Sequence, residues 1–445
     1  MRQSSVRMVL LGGVAEIGGN KFLIEDGDTT ILLDFGMSYA DRRRFYSEPL
    51  LSPRNERELL EFGMLPDLRG LYKFDDAEPT VDGVFLSHSH GDHSACISFL
   101  NRKIPVYCGD TTATIIRALH ETRIRSFEAD ISGLRFDTFR TGSRIRVGTI
   151  EVEPVHVDHS VPAAYGFLVH TSTGTLAYTG DLRAHGTRSD MTHDFLSRAG
   201  KARPVALLAE GTNLVGGTLT TETEVHSKVS SIIKGSPKLV LSDFSNVDVD
   251  RFRTFYEAAK ENGRVLAISM RQAYLLSKLG AEGRINIPDI AHDKNIMVYQ
   301  RSKKRYFEWE KKVLSFKNVV EASDIRKMQK KAVLVTSAWD FKELIDIRPE
   351  PGSCFILSMS EPFTEEQEFE FERVVNWLDH FGLPMYHIHC SGHIMPGELR
   401  AAIDTVKPKM LYPIHTEHPE MYAKFVSDST KVTVPQKKVA YQLGQ

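Results

Sequence analysis

The sequence predicts a layered α/β protein made of two differently patterned parts. Two observations predict it. Up to about residue 204, short apolar runs rich in β-branched residues alternate with turn residues, and near residue 90 a strand runs straight into a helix. Beyond it, apolar strands alternate with helical stretches, the pattern of parallel βαβ units, because parallel neighbours need a crossover between them.

The elements follow in order. Arg7–Leu11 and Lys21–Glu25 read as strands, and the Asp26-Gly27 turn signal leads into a third run, Thr30–Leu33, that ends on Asp34. Residues 37–79 are polar and interrupted by prolines, which suggests a surface insertion with a helix near Arg54–Phe62. Val81–Leu86 reads as a buried strand and Ser94–Asn101 as a helix, and strands return at Arg146–Val155, Ala164–Thr171 and Thr175–Thr179. After a strand at Val205–Ala209, helices at Glu222–Ile233, Asp250–Asn262 and Gln272–Leu279 are separated by strands at Lys238–Ser242 and Arg264–Ser269. Val333–Thr336 and Cys354–Ser358 continue as strands and Glu365–Phe381 as a helix. Domain boundaries are expected at 205/206 and 385/386, with the last segment returning to the first part.

The 445 residues are 41% hydrophobic and 26% charged, the balance of an ordinary globular protein with a sizeable core. A formal charge of −2 excludes a global basic footprint, so attraction of any polyanion must come from local patches and metal ions. Cys96, Cys108, Cys354 and Cys390 are far apart and form no Cys-x-x-Cys pair, which argues against a disulfide framework and for a reducing compartment. The first apolar run continues into Gly12-Gly13-Val14 as a strand would, and no stretch approaches the roughly 18 apolar residues of a membrane helix. A cytoplasmic location without membrane contact is the expectation.

The densest chemical signal is His88-Ser89-His90-Gly91-Asp92-His93, directly after Val84-Phe85-Leu86. In an extended segment residues i and i+2 point the same way, so His88 and His90 can hold one metal. Gly91 is expected to permit a sharp turn, after which Asp92 and His93 open a helix and face a second metal. Imidazole with carboxylate suits zinc, with manganese as the alternative. A polar loop with incidental histidines is the plainer reading, and four ligand-type residues within one short strand-to-helix junction weigh against it.

This pattern resembles the second motif of the metallo-β-lactamase superfamily, His-x-His-x-Asp-His. The remaining motifs of that superfamily find counterparts in order: Asp34 at an early strand end, His159 in Asp158-His159-Ser160-Val161-Pro162 (with His156 as competitor), and Asp181 in Thr179-Gly180-Asp181. Further on, Leu207–Asn213 with Glu210, His389-Cys390-Ser391-Gly392-His393, and Pro413-Ile414-His415-Thr416-Glu417 resemble motifs A, B and C of the β-CASP nucleases. The likeness spans the chain and points to ribonuclease J in a minimal two-domain form. Glu210 departs from it, standing where ribonuclease J usually has Asp and where the polyadenylation nuclease has Glu.

The resemblance implies a four-layer αββα fold carrying an inserted parallel-sheet α/β domain that caps the cleft. It implies two zinc ions: His88, His90 and His159 on one, Asp92, His93 and His415 on the other, Asp181 bridging, and Asp34 orienting a ligand. His393, oriented by Glu210, is the expected general acid, while His389, Ser391, Ser245 and Asn246 are expected to contact phosphates. The implied reaction is RNA hydrolysis to 5′-phosphate and 3′-hydroxyl products, 5′-to-3′ with some internal cutting. A His at motif C, here His415, goes with RNA-processing members of the family. RNA is the expected partner, and a homodimer is compatible with the pattern. The alternatives are a site-specific endonuclease of the polyadenylation type, a small-molecule metallo-hydrolase of the same superfamily and a non-catalytic RNA-binding paralogue. The basic residues of 301–331 and Arg42–Arg44 read as solvated faces, with RNA contact as the alternative. His120, His170, His185, His193, His226, His292, His380, His387 and His418 have no ligand-like context.

Overall fold

Alternation between the two faces of each strand decides the architecture. In the computed structural model, which describes residues 6–47, 50–124, 126–360, 365–426 and 430–444, the chain forms two compact units. The first comprises Met1–Thr218 and Gly392–Gln445, the second Leu219–Ser391.

The first unit holds two seven-stranded sheets. One contains β1 (Val6–Gly12), β2 (Lys21–Asp26), β3 (Thr29–Leu33), β4 (Gly83–Phe85), β5 (Val106–Gly109) and β6 (Phe136–Phe139). The other contains β7 (Ile145–Val147), β8 (Ile150–Val157), β9 (Ala164–Thr171), β10 (Gly174–Tyr178) and β11 (Ala206–Glu210). Val6, Met8, Leu10, Phe22, Ile24, Ile31 and Leu33 meet Val152, Phe167, Val169, Leu176, Tyr178 and Leu208 in one core between the sheets. The residues between them point the other way. Val9, Leu23, Leu32 and Val84 pack outward with Ala113 and Ile116 of the helix Asp110–Thr122. On the far sheet Leu168, Ala177, Leu207 and Ala209 pack on Phe195, Ala199, Leu399 and Ile403 from the helices Ser189–Ala202 and Pro396–Val406. Period-two patterning between two sheets and two helical layers gives the αββα order.

The second unit is a third seven-stranded sheet of β12 (Val240–Asp243), β13 (Val265–Ser269), β14 (Ile296–Tyr299), β15 (Val319–Val320), β16 (Ala332–Val335), β17 (Cys354–Leu357) and β18 (Met385–His387). Every described pairing in it is parallel. Leu239, Leu241, Leu334 and Phe355 bury one face against Phe341, Leu344 and Leu378, and Val240, Leu266, Val333 and Ile356 are equally buried on the other. Helices on both faces explain these continuous apolar strands. The chain then returns to the first unit with β19 (Met410–Ile414) and β20 (Lys431–Val432) beside β11, and β21 (Ala440–Leu443) beside β1.

Three expectations need correction. The boundary at 205/206 falls one strand early, because β11 pairs in parallel with both β10 and β19, and the return comes at Gly392 rather than residue 386. The helix at Ser94–Asn101 is instead a short turn of helix, Gly91–Ser94, followed by a 3₁₀ stretch, Ala95–Phe99. Gly91 adopts no left-handed backbone; a Cβ there would collide with the Tyr39 hydroxyl, so any larger residue displaces that side chain. The insertion carries the expected helix, Glu56–Glu61, and a second one, Tyr39–Phe45, whose Arg42 makes a two-pronged ion pair with Glu128 at 2.5 and 3.0 Å. Several basic residues of 301–331 are likewise paired: Arg301 with Asp340, Lys303 with Glu310, and Lys311 with Glu308. All four cysteines are free and buried, and no described helix is long and apolar enough to cross a membrane.

Candidate metal centre

Beyond β3, Asp34 takes a left-handed backbone conformation (φ 57°), which Asp tolerates better than most residues. Its buried carboxylate accepts from the Ser87 amide (2.6 Å), the Ser87 hydroxyl (2.7 Å), the Tyr178 hydroxyl (2.5 Å) and His93 Nδ1 (2.8 Å). One of these donors reaches Oδ1 and three converge on Oδ2, so both carboxylate oxygens are engaged. Asp34 is therefore committed to holding neighbours in place.

Four of the five imidazoles follow one rule. His93 Nδ1 donates to Asp34, His159 Nδ1 donates to the Gly392 carbonyl at 2.6 Å, and His415 Nδ1 lies 2.8 Å from the Thr212 hydroxyl. His88 Nδ1 lies 3.0 Å from the Ser87 hydroxyl. Each outward bond turns an Nε2 lone pair inward. His88, His90, His159 and Asp181 form one group whose ligand atoms lie within 4.8 Å of one another, and Asp92, His93, Asp181 and His415 form a second. Asp181 is common to both. Its Oδ2 stands 3.1 Å from His93 Nε2, 3.6 Å from His415 Nε2, 3.7 Å from His88 Nε2 and 3.8 Å from His159 Nε2.

The donor set fits a metal pair. His90 Nδ1 is 3.1 Å from both His88 Nε2 and His159 Nε2, near the roughly 3.3 Å that tetrahedral zinc with bonds of about 2.0–2.1 Å imposes between ligands. Asp181 Oδ1 is buried with no hydrogen-bond partner among the described residues, a cost that a cation removes. Burial, with neighbouring imidazoles, presses His88 and His159 well below the ordinary histidine range, and burial holds His90 at about 4. They are neutral, as ligands must be. On His93 burial pulls downward, but Asp181, Asp92 and Asp34 outweigh it and push it well up.

Beside this set stands His393, with Nδ1 3.3 Å from Glu210 Oε1 and 3.8 Å from Asp181 Oδ2. Burial opposes its charge, yet Glu210 and Asp181 raise it to about 9. Glu210, at the end of β11, is itself fixed by the Thr212 amide at 2.9 Å and the Ile394 amide at 3.1 Å. The structure gathers His159 and leaves His156 outside, bonded to Thr141 and packed on Tyr165. His389, Ser391, Ser245 and Asn246 belong to the second unit. There His389 stands 3.5 Å from Arg251, and burial together with that cation lowers it to about 3. Asn246 accepts a bond from Ser269 at 3.0 Å, and the Ser245 carbonyl accepts from the Asp248 amide at 3.1 Å.

Sequence reasoning assigned no role to Ser87, Tyr178, Thr212 or Asn20, whose Nδ2 is 3.0 Å from His93 Nε2. The first three lie inside or beside the recognised motifs, which was the available signal. Asn20 carried none.

Residues 65–199 match the family model described as "Beta-lactamase superfamily domain". Ribonuclease J2 of Bacillus subtilis is 24% identical over 93% of this chain and 70% of its own length. Ribonuclease J of Helicobacter pylori is 22% identical over 98% of this chain and 59% of its own, and that of Thermus thermophilus 24% over 96% and 71%. The chain thus spans 59 to 71% of the length of these three relatives. A crystal structure of a protein of unknown function from Enterococcus faecalis shares the fold, with TM-score 0.79 at 21% identity, covering 99% of this chain and 100% of that one. Residues 65–199 thus form a beta-lactamase superfamily domain, and over more than nine-tenths of its length the chain is similar to ribonucleases J.

Proposed function

We propose that this protein is a metal-dependent ribonuclease that hydrolyses RNA phosphodiesters in the cytoplasm to 5′-phosphate and 3′-hydroxyl products. The observation that carries the reading is a pair of ligand groups sharing Asp181, with a His393–Glu210 pair at its side. The names of the relatives, which match more than nine-tenths of the chain, support RNA as the substrate.

In this reading His88, His90, His159 and Asp181 would hold one ion, and Asp92, His93, Asp181 and His415 the other. Zinc suits the donors best, and manganese is the alternative. Such an ion pair makes water available as a nucleophile near neutral pH and neutralises charge growing on phosphate. Asp34 keeps the His93 ring aimed. Glu210 holds His393 by its Nδ1, which leaves Nε2–H to protonate the leaving 3′ oxygen as the P–O bond breaks and its electron pair stays on that oxygen. His389, Ser391, Ser245 and Asn246 supply hydrogen bonds to phosphates of the strand.

The expected activity is 5′-to-3′ and favours a 5′-monophosphate end, with weaker internal cutting. RNA and matched DNA labelled at the 5′ end, incubated with zinc or manganese, should give labelled mononucleotide from RNA at once. Labelled intermediates first, or circular RNA cut as fast as linear monophosphorylated RNA, would replace this by internal cleavage, the reading that Glu210 at motif A favours. Equal turnover of DNA would remove RNA as the substrate class.

A further inference from the structure

We propose that Thr212 is a positioning residue that ties a metal ligand to the general acid, setting the tautomer of His415 and the ring orientation of His393 through a single hydroxyl. The inference rests on the metal and acid roles assigned above.

Thr212 Oγ1 lies 2.8 Å from His415 Nδ1 and 3.2 Å from His393 Nδ1. It also lies 3.4 Å from the His415 carbonyl oxygen. His415 presents Nε2 to Asp92 Oδ2 at 3.0 Å, so its proton must sit on Nδ1 if Nε2 is to act as a ligand. His393 Nδ1 faces the Glu210 carboxylate, so it too carries a proton. A hydroxyl offers two lone pairs and one proton. Here the lone pairs receive the two ring N–H groups and the proton goes to the His415 carbonyl, so every valence of the hydroxyl has a use.

Two further observations point the same way. Glu210, His393 and His415 form a third trio with ligand atoms within 4.8 Å of one another. The Thr212 hydroxyl is within hydrogen-bond reach of the Nδ1 atom of both imidazoles, which leaves His415 Nε2 facing the metal group. His415 also takes a left-handed backbone conformation (φ 51°), a strained geometry for a non-glycine residue that needs outside support. Its side chain obtains that support from Thr212.

The test compares Thr212→Val, which keeps shape but loses the hydroxyl, with Thr212→Ala and Thr212→Ser, in the full chain and with zinc alone as probe. Loss of an orienting partner typically costs about 10–100-fold in metal affinity. Val and Ala should therefore weaken one of the two zinc sites by that factor in chelator competition and leave the other unchanged, while Ser restores both. kcat should fall with little change in KM. Nitrogen NMR of the imidazole rings should show His415 leaving the Nδ1–H tautomer in Val and Ala but not in Ser. A folded Val variant with the His415 tautomer unchanged and both zinc ions held as in the parent overturns the proposal. Absence of zinc binding in the parent overturns the metal reading instead, and the tautomer measurement still decides the role of Thr212.

Discussion

His393 shows how one residue takes its chemistry from its surroundings. Alone, an imidazole buried this deeply loses its proton more easily; beside Glu210 and Asp181 it keeps it up to about 9. These carboxylates favour the imidazolium, the form a general acid needs. His393→Ala is expected to retain its metal content but to lose on the order of 10²–10⁴ in hydrolysis rate. That loss should shrink on a nitrophenyl phosphodiester, whose leaving group needs no proton. An equal loss on both substrates would show that His393 binds phosphate and is not the acid. Tyr178 offers a contrasting case, since its hydroxyl donates to the Asp34 carboxylate at 2.5 Å. Tyr178→Phe should leave Asp34 short of one of its four donors and weaken metal binding modestly, with chelator competition as the readout.

At the scale of an element, β12 carries a carboxylate at its C-terminal end. Burial pushes Asp243 up to about 7, with an opposing hydrogen bond from the Ala338 amide and a further push from Asp340. A carboxyl raised in the folded state is more easily ionised unfolded, so its contribution is fully present below about pH 4 and is lost as pH rises through about 7. The second unit should therefore melt lower at pH 8 than at pH 5, and Asp243→Asn should flatten that difference by raising the value at pH 8. Thermal melts of the two proteins at both pH values decide it; parallel pH dependence would show that Asp243 does not titrate there. The strands themselves were readable because one face or both must be apolar. Those that escaped reading, β5, β6, β14, β15, β18, β19, β20 and β21, are two to five residues long, which leaves little room for a period to repeat.

At the scale of the whole molecule, the centre concentrates five imidazoles and two carboxylates from distant parts of the chain into one buried volume. Leaving converging lone pairs and the partnerless Asp181 Oδ1 unsatisfied is costly, and bound ions remove that cost. Elemental analysis should find close to two transition-metal ions per chain. Ligands held only by the folded state stabilise it by about 4 kcal/mol at a thousandfold excess over Kd. Exhaustive chelation should accordingly lower the melting temperature by roughly 5–15 °C, and added zinc should restore it. An unchanged melt after metal removal would mean that the ligand groups are already satisfied without ions.

The sequence by itself determined the class of the fold and the identity of the ligand types. Patterning of period two and its switch to alternating strands and helices are local, and His88 to His93 lie so close together that any strand-to-helix junction presents them jointly. Tertiary structure decided everything that depends on which strands become neighbours. It assigned β11 to the first unit, because parallel pairing with β10 and β19 outweighs nearness in sequence to the helices that follow. It set His159, two residues beyond β8 and already preferred from the sequence, against Asp181, and left His156 inside the strand bonded to Thr141. It recruited Asn20, Ser87, Tyr178 and Thr212, whose hydroxyls and amides gain a role only when another element brings a ring nitrogen or a carboxylate within 3 Å or so. Hydrogen-bond partners separated by as many as 323 residues leave no mark in local periodicity, because the energy that selects them exists only after the sheets have closed over the site.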